Sequence, residues 1–284
     1  MPTLLSFGHG YSAEAVARLV MARGWRVIGT TRSPARAEEI RATGAEALIW
    51  GVDDMTPALD AATHILTSAE PGTGGDPVLA RLGDQIAARA ARYDWAGYLS
   101  TTGVYGDHQG AWVDEDSALR PSGLRNHARV AAEAAWRAIP DLPVHVFRLA
   151  GIYGPGRGPF AKVQNGTARR IVKENHVFGR IHVDDIAQVV VASIDKPHAG
   201  RIYNVADDLP AAGHLVVEEA ARLLGVTPPP LEEYETAEMT PMARSFYADS
   251  RRVRNTRLHD ELGVTLHHPD YKAGLAAIKA AEGL

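Results

Sequence analysis

Short runs of β-branched and apolar residues alternate with longer alanine-rich stretches through the first two hundred positions of the chain. The runs predict strands at Thr3–Phe7, Trp25–Thr30, Ala47–Trp50, His64–Thr67, Gly97–Thr101, Val144–Leu149 and Arg201–Val205. The stretches between them predict helices at 12–23, 34–43, 77–92, 127–138 and 184–195. Two of these open on a capping residue followed by proline, Ser33-Pro34 and Asp76-Pro77, a pairing that starts helices. The strands are apolar on both faces, so helices must cover both sides of the sheet. This pattern predicts an α/β fold with a parallel, doubly wound sheet.

Beyond Asp208 the pattern changes. A helix at 213–224 closes at Gly225 and the breaker Pro228-Pro229-Pro230, and a polar stretch follows. Two further helices are expected near 250–262 and 270–281. The expected organisation is a sheet domain built from 1–150 and 177–207, carrying a small cap formed by 151–176 and 208–284.

Composition narrows the class. The 284 residues are 45% hydrophobic and 23% charged, the proportions of a globular chain with enough apolar material for a core. The 34 acids against 30 bases leave a formal charge of −4, which argues against nucleic acid or a membrane surface as partner. No apolar run reaches the ~18 residues of a membrane span, and the expected location is the cytoplasm. The absence of cysteine excludes disulfides, thiolate nucleophiles and cysteine-held metals. The 12 histidines show no helical pairing with a third ligand, and His182, Asp184 and Asp185 read as strand end and helix cap. No metal site is expected.

Chemistry enters at the first strand–helix junction. Gly8-His9-Gly10-Tyr11-Ser12-Ala13 gives G-x-G-x-x-A in the position of a Rossmann-type dinucleotide loop. The first glycine allows a tight turn, the second lets backbone approach a diphosphate, and the small third position permits close helix packing. At the end of the second strand an acid would hold the ribose 2′-hydroxyl of NAD. The chain instead reads Thr31-Arg32-Ser33, a cation flanked by two hydroxyls, which favours NADP over NAD. Asp53 is a candidate adenine contact or a turn cap. Ser68 and Ala69 begin a glycine-bearing loop, 68–76, whose start is expected to line the cofactor groove.

Several ordered motifs carry a family resemblance. Leu99-Ser100-Thr101-Thr102-Gly103-Val104-Tyr105-Gly106, Phe147-Arg148-Leu149-Ala150-Gly151-Ile152-Tyr153-Gly154-Pro155-Gly156 and Arg180-Ile181-His182-Val183-Asp184-Asp185-Ile186-Ala187 stand in family-like order, followed by Tyr203-Asn204-Val205. The chain resembles the extended and atypical short-chain dehydrogenase/reductases, of the NAD-dependent epimerase/dehydratase kind. The resemblance implies a cofactor groove that also includes Ser100, Leu149, Ala150 and Ile152. It implies a Ser/Thr, Tyr and Lys acting together, the tyrosine exchanging a proton while hydride moves to or from nicotinamide. Thr101 takes the Ser/Thr place. In the expected register, however, Arg125 stands for the tyrosine and Arg129 for the lysine. Arg129 keeps the charge to hold a ribose, but a guanidinium with a pKa above ~12 is no general acid.

If the chain turns over a substrate, another proton carrier must serve. Tyr105 and Tyr153 lie at strand ends and are the leading candidates, with His9 and His127 behind them. Arg157 in the 154–158 turn, and Arg251, Arg252 and Arg254 at the expected start of a tail helix, are compatible with an anionic substrate or a solvated surface. The first expectation is an NADP-dependent oxidoreductase or epimerase acting on a hydroxyl- or carbonyl-bearing small molecule, anionic or sugar-like. The alternative is a non-catalytic NADP(H)-binding sensor. The resemblance also implies a homodimer paired through helices 77–92 and 127–138.

Overall fold

The computed structural model describes residues 1–284, the side chain of Met242 aside. Seven strands form its main sheet: β1 (Thr3–Phe7), β2 (Arg26–Thr31), β3 (Glu46–Ile49), β4 (His64–Thr67), β5 (Trp95–Thr101), β6 (Val144–Leu149) and β7 (Ile202–Val205). Their order is β3-β2-β1-β4-β5-β6-β7, and every neighbouring pair is parallel. The direction of winding reverses between β1 and β4. In open α/β sheets that switch point, at the carboxyl ends of the strands, opens a crevice for ligands.

Helices cover both faces, as the unalternating strands require. Val16, Ile40 and Val190, from helices Tyr11–Met21, Pro34–Ala42 and Val183–Asp195, pack with Leu4 and Leu66. Leu59, Ile86 and Trp136, from Thr56–Ala61, Pro77–Ala87 and Gly123–Arg137, pack with Leu5 and Ile65. The two capping pairs act as expected. Ser33 accepts from Arg36 N, and Asp76 accepts from Val78 N and Leu79 N.

Some boundaries move. The helix from Pro77 ends at Ala87, followed by a separate turn at Ala90–Arg92, and the fifth predicted helix begins at Gly123. The larger correction concerns the tail. Instead of a helix over 250–262, Arg252–Val253 forms a strand parallel to Trp112–Val113, and only Thr256–Asp260 is helical. Arg252 N and Arg254 N donate to Ala111 O and Val113 O, a pairing across more than a hundred residues that local composition does not report. Arg251, Arg252 and Arg254 therefore do not open a helix.

A third apolar cluster joins Tyr153, Phe160 and Ala220 to Tyr271, Leu275 and Ile278 of the last helix, Tyr271–Glu282. Small strand pairs surround it, Gly151–Tyr153 with Arg180–His182 and Arg170–Val172 with Leu231–Glu233. The fully buried Asp185 carboxylate accepts from His267 N at 2.7 Å, His268 N at 3.1 Å and the His268 ring at 3.0 Å, tying the tail to helix Val183–Asp195. Among the described residues no helix is long and apolar enough to cross a membrane.

Candidate cofactor and active site

The glycine loop lies at the switch point. Gly8 takes φ +73°, and a Cβ there would come within 2.9 Å of Ala69 N, so only glycine fits between the loops after β1 and β4. Ser68 closes the same contact by donating its hydroxyl to Gly8 O. Gly10 caps helix Tyr11–Met21 in extended conformation with no side-chain bond, leaving the first N–H groups of the helix open to an anion. A Cβ on Gly10 would meet nothing nearer than Gly8 O at 3.8 Å, so the space above the loop is free. Ser12 and Ala13 are buried against the sheet.

The His9 ring turns inward. It packs on β2 where a Cβ at Gly29 would be 2.6 Å from its Cγ, and neither ring nitrogen has a hydrogen-bond partner. Burial lowers its pKa to about 4, so the ring is neutral. It is no proton carrier. Tyr11 donates to Pro155 O at 2.8 Å, with the Arg157 guanidinium 4.4 Å from its ring centre, and Gly156 N in the same turn donates to Glu282 at 2.7 Å.

At the end of β2, Ser33 N donates to the Thr31 hydroxyl at 3.2 Å. Arg32 is exposed and has no hydrogen bond or ion pair among the described residues. Asp53 accepts from Ile49 N at 2.6 Å and closes the turn after β3.

Beyond β5 the groups expected to do chemistry separate. The Thr101 hydroxyl accepts from Gly103 N at 3.0 Å and caps the turn Thr102–Tyr105. Arg125 is 81% exposed and pairs with Glu70 at 2.7 Å, bridging the loop after β4 to helix Gly123–Arg137. Arg129 reaches back to β5, donating to Leu99 O at 2.9 Å and to the Tyr98 hydroxyl at 3.2 Å. His127 is exposed. Leu149 and Ala150 are buried at the end of β6, where Ala150 N donates to Val205 O, and the half-buried Ile152 lies opposite Ile181.

Neither tyrosine is placed to move a proton. Tyr105 is fully buried, donates to Asn204 at 2.7 Å, accepts from Arg148 at 2.9 Å, and burial pushes its pKa to about 12. The Tyr153 hydroxyl donates to Asp270 O at 3.3 Å, in the space a Cβ at Gly274 would fill, and burial raises its pKa as well. Both rings pack in the interior, with their hydroxyls on partners within the chain. Ser100 is buried as well. It donates to Glu133, whose carboxylate pairs with Arg148 at 2.9 Å in a buried bridge between helix and sheet.

Several polar groups of this region were missed in the sequence. The Asn126 amide lies over Gly103, where a Cβ would be 2.5 Å from its Oδ1. Asp207, just past β7, is 2% exposed and has no side-chain partner for its carboxylate. Burial pushes its pKa up to about 8 against the opposing charge of Arg180. Nothing in the dipeptide Asp207-Asp208 signals this. His182, Asp185 and His268 also converge, their ligand atoms lying within 4.8 Å. The His182 and His268 rings stack with centres 3.9 Å apart, and His182 Nδ1 accepts from Asp184 N as the cap of the following helix. That geometry serves a junction.

No protein-family model matches the sequence. A conserved protein of Silicibacter pomeroyi, described as functionally unknown, superimposes with a TM-score of 0.95 at 55% identity, covering 99% of each chain. The chain belongs to the family of that protein. Within the curated proteins, Protein YeeZ of Escherichia coli (strain K12) is 27% identical over 276 residues, 93% of this chain and 95% of the relative. Human epimerase family protein SDR39U1, solved with NADPH, superimposes with a TM-score of 0.76 at 18% identity over 99% of this chain and 100% of that one. The fold that the Silicibacter family shares is thus that of the epimerase-type short-chain dehydrogenase/reductases.

Proposed function

We propose that the protein binds NADP(H) across the β1/β4 crevice and acts as an oxidoreductase or epimerase-type enzyme on a hydroxyl- or carbonyl-bearing small molecule. The observation that carries the cofactor reading is Arg32, exposed and unpaired at the end of β2 beside an uncapped helix N-terminus. The residues present fit the group. Gly10 leaves room for a diphosphate, the uncapped N–H groups of Tyr11 and Ser12 would receive it, and Arg32 with Thr31 and Ser33 would receive a 2′-phosphate. Bound NADP(H) would supply hydride transfer. Thr101 would hold the reacting oxygen, while Arg129, anchored on Leu99 O, would present its remaining N–H groups to the nicotinamide ribose.

A second reading is an NADP(H)-binding protein without turnover. The burial of Tyr105 and Tyr153, with the ion-paired Arg125 in the tyrosine position, favours it. Titration of NADPH fluorescence tests the cofactor reading. Saturable binding is expected, and Arg32→Ala should weaken NADPH by about tenfold, the loss of one charge-assisted pair, while leaving NADH unchanged. A chain indifferent to both nucleotides sinks the proposal. Exchange of label from deuterated NADPH into a panel of sugars, nucleotide sugars and ketones separates enzyme from sensor.

A further inference from the structure

A second arginine stands at the mouth between the first two crossover helices, held there by two carboxylates. Arg36, in the first turn of helix Pro34–Ala42, is capped at its backbone N by Ser33, the residue after Arg32. Its side chain crosses to helix Tyr11–Met21 and bonds the Glu14 carboxylate, while its other Nη bonds Glu39 at 2.6 Å. Glu14 lies in the first turn of the helix whose open N–H groups await an anion. All three side chains keep a third or more of their surface in water, at 34%, 40% and 62%. Ion pairs so exposed add little to stability and are readily exchanged for a stronger partner. His9 is buried and neutral, so it brings no charge to this mouth.

We propose that Arg36 is a second specificity group for the adenosine-ribose 2′-phosphate, leaving Glu14 when that phosphate arrives and closing on it together with Arg32. The inference rests on the NADP(H) reading above. A phosphate offers up to two negative charges and three acceptor oxygens where Glu14 offers one charge and two. The 2′-hydroxyl of NAD offers no charge, and with NAD the guanidinium stays on Glu14. Glu14 is therefore a competitor for Arg36, and the two residues must act on cofactor choice in opposite directions.

The experiment measures dissociation constants of NADPH and NADH by nicotinamide fluorescence, and of 2′,5′-ADP and 5′-ADP by competition. Arg36→Ala should lower the preference for the 2′-phosphorylated member of each pair by about tenfold, and Arg36→Lys should restore part of it. Glu14→Gln should raise that preference by roughly threefold. Thermal melts establish that each variant is folded. If the ratios stay fixed, or both substitutions shift them the same way, Arg36 only tethers the two helices and the inference is overturned. Tight NADPH binding with unmoved ratios removes this inference alone. Failure of the unsubstituted protein to bind either nucleotide removes the NADP(H) reading with it.

Discussion

Asp207 departs far from its ordinary chemistry. Its folded pKa is raised from 3.8 to about 8, so the native state holds a proton that the unfolded chain has already released. Stability from this group is complete below the ordinary carboxylate value and is lost as pH rises from about 4 to about 8, at up to about 1.4 kcal/mol per pH unit. His9 and His145, both lowered to about 4, slope the other way below their unfolded value, since acid must charge them only once they are exposed. The difference between wild type and Asp207→Asn isolates the carboxyl. Melting temperature followed from pH 4 to 8 should fall more steeply with pH in wild type than in the variant; parallel curves would show that Asp207 ionises normally. Burial of this kind is set by chain segments that meet only in the fold, so an acid after a strand reads the same whether solvated or enclosed. The tyrosines illustrate the same blindness. The segment Val104-Tyr105-Gly106 specifies a turn at a strand end, but whether the ring faces the groove depends on Arg148 and Asn204, which lie 43 and 99 positions away.

Elements were far more legible than side-chain directions. All seven main-sheet strands lie at the predicted positions within a residue or two, because runs apolar on both faces have few other solutions. What the pattern could not give is how helix Gly123–Arg137 docks. Its register against the sheet is fixed by Glu133, enclosed with Arg148, Ser100 and Tyr105 in one polar network. Cutting such a pair strands a buried charge. Glu133→Ala should cost about 3–5 kcal/mol by chemical denaturation, whereas Ser100→Ala, which leaves the ion pair whole, should cost about 1 kcal/mol. Equal, small losses from the two would mean that water reaches Arg148 and the network is open. The tail strand Arg252–Val253 shows the opposite limit: two residues paired across the molecule carry no periodicity that a sequence reading can detect.

On the scale of the whole molecule, the last helix completes the third apolar cluster, with Leu275 and Ile278 fully buried. Leu275→Ala should lower stability by about 2–5 kcal/mol and still give one unfolding transition by calorimetry, since Asp185 joins this region to the sheet. Two separated transitions would show that tail and sheet unfold independently. The expectation of a nucleotide site rests on the glycine motif and Arg32, whose pattern is local in the chain. Thr101, Asn126 and Arg129 gather around the turn after β5 through contacts with Gly103 and Leu99, and no spacing rule joins them. The contact of Tyr11 with the Pro155 carbonyl reaches further than either half alone. A phenol on the first turn of the first helix grips a bend whose next amide is seated on Glu282, the last residue of helix Tyr271–Glu282. The helices Tyr11–Met21 and Tyr271–Glu282 thus share one mechanical linkage, and an occupant that tilts the first also pulls on the second.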